Sequence, residues 1–177
     1  MEKSTSRSLL NTPNWMRDAR TWALLLVLAV SGTATSVPPS HASTGADLEA
    51  KAQAVSAARH VMEDFMIAFN SRDEVAWAET FNYPHIRFAS GQVRTSEDKE
   101  SVLREMDFER FAAATGWHHS AWDSIELVHA GATKVHFSVS FTRYNEAGDK
   151  LKTYQSLYIV TLKDGHWGIQ SRSSFAP

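Results

Sequence analysis

The order of the secondary-structure signals constrains this chain most: helical periodicities come first, and the last third reads as long strands of one sheet. Turn residues recur at Gly131, Gly148 and Asp164-Gly165. They divide the region into strands at Trp117–His129, Lys134–Tyr144, Lys152–Lys163 and His166–Ser174. Lys134–Tyr144 alternates strictly, with Val135, Phe137, Val139 and Phe141 on one face and His136, Ser138, Ser140 and Thr142 on the other. Upstream, Leu48, Ala52, Val55, Met62, Phe65, Met66 and Phe69 recur at helical steps and predict a helix over Ala46–Asn70. Ser71 or Asp73 can cap a short second helix carrying Val75, Trp77 and Ala78. Phe81–Phe88 predicts a short strand, which Pro84 confines to a sheet edge because proline offers no N–H to a ladder. A turn at Ser90-Gly91-Gln92 follows, and then a helical stretch from Ser96 that Gly116 ends. Helices followed by a strongly curved, mostly antiparallel sheet predict an α+β cup over residues 43–177, and a cup has an inside.

The first 42 residues read differently. Lys3, Arg7, Arg17 and Arg20 precede an apolar run from Trp22 to Val30, and the small-residue sites Gly32-Thr33-Ala34 and Ser40-His41-Ala42 follow. This is the three-part layout of a secretory signal, and the run is about half the ~20 residues needed to span a bilayer. The expectation is export to the periplasm or medium with residues 1–42 removed as signal peptide and linker; an uncleaved membrane anchor is the alternative. After cleavage no stable membrane insertion is expected. The remainder carries 14 basic and 18 acidic residues, a formal charge of −4. It has no basic stripe, which argues against a nucleic-acid partner. The absence of cysteine excludes disulfides, thiol catalysis, zinc–thiolate sites and iron–sulfur clusters.

Three segments give a resemblance. Phe65-Met66-Ile67-Ala68-Phe69-Asn70-Ser71-Arg72-Asp73 with Ala76-Trp77, then Phe81, then the closing run Tyr158 to Ile169 with Gly165-His166-Trp167, resemble the nuclear transport factor 2-like superfamily in its SnoaL-like form. Tyr83-Pro84-His85-x-Arg87 and Trp117 to Asp123 resemble features of a bacterial branch of it. The resemblance implies a cone-shaped fold with a pocket between the concave sheet face and the first helix. It also implies a small-molecule ligand, often a homodimer across the outer sheet face, and chemistry done by pocket carboxylate, histidine or tyrosine without a metal or cofactor. The ketosteroid isomerase pattern requires a tyrosine on the first helix, and residues 46–82 contain none.

Strand parity selects candidates for that pocket. Counting back from the apolar Ile125 and Leu127 places Asp123, Ala121 and His119 on the core face, with His118, Ser120 and Trp122 outward. His119 and Asp123, roughly 13 Å apart along a strand, could bracket a ligand as base and acid unless a bulge reverses the parity; His119 could equally be a rim residue bonded to water. Tyr83, His85 and Arg87 alternate onto one face of their strand, where Arg87 suits an anionic group; a solvated face is the alternative. Tyr154 and Tyr158 share a face and could polarise a carbonyl, or simply pack. Arg172, between Ser171 and Ser173, is a further binding candidate. Adjacent His118 and His119 point to opposite sides of a strand and do not chelate together, so no metal is expected. The resulting reading is a cofactor-free isomerase, dehydratase or cyclase, with a non-catalytic dimeric association or carrier module as the alternative.

Overall fold

Thr44 opens the first helix: its hydroxyl accepts from the Asp47 N–H at 3.3 Å, and Asp47 places an acid at the positive end of α1 (Gly45–Asn70). The computed structural model describes residues 44–177; the export segment expected over residues 1–42 lies outside them. Along α1, Ala54, Ala58, Val61, Met62, Phe65 and Met66 are buried, whereas Leu48 is exposed, so the buried stripe begins a turn and a half later than its periodicity predicts. Asp73 caps α2 (Glu74–Glu79), accepting from the Ala76 N–H at 2.9 Å.

The next segment departs from the expectation. Strand β1 (Phe81–Ala89) turns through Ser90 and Gly91, both at positive φ, into a second strand, β2 (Gln92–Ser96). β2 takes the sheet edge, so β1 is an interior strand despite Pro84. The proline is accommodated because its cis peptide bond with Tyr83 lies in a break of pairing between Phe81 and Ile86, and pairing to β2 starts only at His85. Asp98, not Ser96, starts the following helix, α3 (Lys99–Glu105), through a capping box with Ser101. Asp107 then caps a separate helix, α4 (Phe108–Thr115), which ends on Gly116 in the left-handed conformation. Two local caps thus divide what the apolar spacing alone reads as one helical stretch.

Strands β3 (His119–Ala130), β4 (Lys134–Tyr144), β5 (Lys150–Lys163) and β6 (His166–Ser174) complete a curved sheet in the order β2-β1-β6-β5-β4-β3. Every pairing is antiparallel except β1 with β6. Register breaks at Trp122/Ser124, Leu127/His129, Arg143/Tyr144 and Ile159/Val160 bend it. Gly168 allows β6 to lie against the start of β1: a Cβ there would sit 2.7 Å from the Phe81 carbonyl carbon and 2.8 Å from the Asn82 nitrogen.

Helix α1 lies across the concave face. Phe65 is the hub, with ring centroids 5.8–6.3 Å from those of Trp77, Phe81, Trp122 and Tyr158. Asn70 fixes the end of α1 to the start of β3 by a reciprocal pair: its amide donates to the Ser120 carbonyl and its carbonyl accepts from the Ser120 N–H, both at 2.8 Å. Among the described residues no helix is long and apolar enough to cross a membrane.

Candidate functional site

The cup leaves a cavity of about 190 Å³ between α1 and the sheet. Its body is aromatic: Phe65, Phe69, Trp77, Trp122 and Phe141 line it, and Met106 and Phe111 from the α3–α4 segment close one side. Its other wall is basic. Arg94, Arg87, Arg172 and Tyr158 are successive cross-strand partners on β2, β1, β6 and β5, so three guanidinium groups and a phenol form one transverse row. Arg143 enters from β4, 8% exposed, its guanidinium 4.9 Å from the ring centroids of both Phe111 and Tyr154. Arg172 lies 5.6 Å over Phe65, and its Nη1 donates to the Tyr158 hydroxyl at 3.4 Å.

Among the described residues none of these cations has an ion-pair partner. The ion pairs among the described residues are Lys51–Asp47, Arg72–Glu109 and Lys99–Glu79, all elsewhere. The acidic side chain on the cavity lining is Glu105, exposed at the rim, and Pro177 lines the cavity as well. The buried side-chain donors without a hydrogen-bond partner among the described residues are Trp77 Nε1 and the Nε of Arg87, Arg143 and Arg172, and all four belong to residues that line this cavity. Burial, then the nearby Arg172 and Arg94, push the Arg87 guanidinium down to about 10. Burial likewise holds Arg143 below its ordinary value.

His85, 4% exposed, stands in the same corner with its ring stacked on Phe81 at 4.2 Å. Its Nδ1 lies 2.9 Å from the Ile169 carbonyl. A carbonyl only accepts, so Nδ1 carries the proton and Nε2 keeps its lone pair. Burial and then Arg172 push the imidazole pKa down to about 4, so the ring is neutral at physiological pH.

With fold and cavity defined, comparison with known proteins is specific. Residues 53–174 match the family described as NTF2-like protein (DUF6841). The chain belongs to that family. No curated protein matches it. Solved structures that share the fold include a cystatin-like-fold protein of unknown function from Nostoc punctiforme, 11% identical over 68% of this chain and 89% of that one, TM-score 0.57. Another is a hexachlorocyclohexane dehydrochlorinase from Novosphingobium barchaimii, 16% identical over 71% and 88%, TM-score 0.57. A ketosteroid isomerase-like protein from Erwinia carotovora is 18% identical over 68% and 93%, TM-score 0.50.

Within this NTF2-like cup, His85, Arg87, Tyr158 and Arg172 line the cavity, and Tyr83, Tyr154, His119 and Asp123 do not. Tyr83 donates its hydroxyl to the Ala78 carbonyl at 2.8 Å; burial, with Glu79 beside it, pushes that hydroxyl's pKa up. Tyr154 stands behind the wall and supports Arg143. The parity expected for β3 is corrected: Ser120 and Trp122 face the cavity, and His119 and Asp123 face away. The cause is the register break between Trp122 and Ser124, which invalidates counting back from Ile125. Asp123 accepts from Thr142 Oγ1 at 2.8 Å and Ser140 Oγ at 3.2 Å, and His119 stacks on Tyr144 at 5.0 Å. Arg94 and Arg143 are wall residues that sequence reasoning did not nominate, and for Arg143 a signal existed: it continues the apolar parity of Val135, Phe137, Val139 and Phe141. Among the described residues no cluster of His, Asp and Glu could hold a metal ion.

Proposed function

We propose that this domain is an exported small-molecule-binding cup. The observation that carries the reading is the cavity itself. Protein interiors are normally close-packed, yet this core leaves a void of about 190 Å³ walled by aromatic rings and open at a polar rim. A cavity of ~150 Å³ with apolar walls suffices for a benzene-sized ring, so the space suits one ring with a short substituent. The fold is shared with a hexachlorocyclohexane dehydrochlorinase and a ketosteroid isomerase-like protein. Any proton-moving chemistry in this cup falls to His85 and Tyr158, the titratable uncharged groups on its wall, and not to His119 and Asp123. Export rests on the basic stretch, apolar run and small-residue sites of residues 1–42. A homodimer across the outer sheet face is supported by Leu157 and Phe175, which that face leaves exposed.

The test is a thermal-shift screen of the purified protein against monocyclic compounds, charged and neutral, read in parallel by tryptophan fluorescence, because Trp77 and Trp122 line the cavity. A ligand at 100 times its Kd stabilises the fold by about 2.7 kcal/mol, roughly a 10 °C rise in Tm for a domain of this size. Absence of any shift in Tm or emission across the panel overturns the reading.

A further inference from the structure

We infer that the cup is built for a small organic acid: an apolar body between the aromatic walls and a carboxylate held by Arg87, Arg143 and Arg172. This deepens, and rests on, the reading of the cavity as a binding site. Three observations lead to it. First, the orphaned donors are not scattered. Buried polar groups are normally satisfied, and here the four exceptions among the described residues all belong to residues that line this one cavity. All four are N–H donors, so the missing partner is an acceptor. Second, Arg94, Arg87 and Arg172 are directly opposed across strands with no acid among them. Like charges in that relation destabilise a sheet, and the arrangement is relieved by an anion between them. Third, the buried, unpartnered atom is Nε in all three guanidinium groups. Nε with its neighbouring Nη forms the side-on fork that matches two carboxylate oxygens.

The aromatic faces against Arg143 and Arg172 explain how the fold tolerates the charges: cation–π contact compensates the guanidinium face and leaves the in-plane Nε–H groups free. Neutral His85, with the Nε2 lone pair uncommitted, adds no further positive charge to the corner. The cavity volume limits the body to about one ring.

The experiment is calorimetric titration of the purified full protein with benzoate and 3-phenylpropionate, each beside its primary amide, and with inorganic phosphate, at two salt concentrations. The inference expects the acids to bind about 10- to 100-fold more tightly than the amides, the worth of one or two hydrogen bonds to a charged group. It also expects Arg143→Gln and Arg172→Gln to remove that preference, bringing the acid and amide affinities together. Without ligand these variants should melt at or above the wild-type Tm, because each relieves repulsion; a lower Tm would mean that the arginines serve the fold, and would overturn the inference. Arg172→Lys, which keeps the charge and loses the fork, should retain a reduced preference. Amides binding as tightly as acids would leave the cup a binding site and overturn the anion. Phosphate outcompeting both acids would overturn the apolar body. No binding by any of them would overturn both this inference and the function it rests on.

Discussion

His85 shows how one residue's protonation is set by its neighbours. The unfolded chain takes up the imidazole proton near 6.5, the folded chain only near 4. The folded pKa is depressed, so the unfolded state binds the extra proton between those values. The stability contributed by the neutral ring is therefore complete above about pH 6.5 and declines as the pH falls towards 4, by up to about 3 kcal/mol. His85→Asn retains a donor for the Ile169 carbonyl and removes the titration. Urea unfolding at pH 7 and pH 4 should show a pH dependence smaller by about 3 kcal/mol in the variant; equal dependence in both proteins would refute the neutral, buried histidine. Asn70 is the comparable case for a neutral group. Asn70→Ala leaves the Ser120 N–H and carbonyl without their side-chain partner and should destabilise the fold by about 2–3 kcal/mol in the same assay.

At the scale of elements, the cup depends on β6 joining β1 in parallel beside its antiparallel partner β5. That joint is tight at Gly168 and is held from the side by buried Asn82, whose amide donates to the Thr161 carbonyl at 2.7 Å and whose carbonyl oxygen lies 2.9 Å from His166 Nδ1. Gly168→Ala places a methyl group against backbone that cannot yield as a side chain would. It should cost about 3 kcal/mol and shift the β1 register, moving His85 and Arg87 relative to Arg172. Hydrogen exchange of the β1 amides checks this: faster exchange in β1 and β6 with β3–β4 unchanged is expected, and wild-type protection throughout would count against the joint. The same scale explains why β2 and the division between α3 and α4 escape a periodicity reading. The α3–α4 division depends on the single caps Asp98 and Asp107, and β2 is exposed from Gln92 to Thr95, so neither carries an apolar stripe.

For the whole molecule, two proposals are measurable together. Intact mass spectrometry of protein recovered from the producing cell should show loss of about the first 42 residues; a full-length mass would favour the uncleaved anchor. Light scattering should give twice the monomer mass, and Leu157→Arg on the outer face should halve it; an unchanged dimer would move the interface elsewhere. The α+β class, the long first helix and the four long strands were legible in the sequence because apolar periodicity and turn residues are local properties, and each strand exposes its own alternation. His85, Arg87, Tyr158 and Arg172 could be nominated for the same reason. The chemistry of the cavity could not be read that way. One bulge at Asp123 reverses the facing of His119, Ser120 and Trp122, and nothing in that segment's composition announces it. The arginine wall is assembled from β1, β4 and β6, segments up to 85 residues apart between Arg87 and Arg172, by pairings that bring like charges together. Sequence alone determined which residues could be inside; only the tertiary structure decided which ones meet there, because register and sheet curvature are set by long-range packing that no single segment encodes.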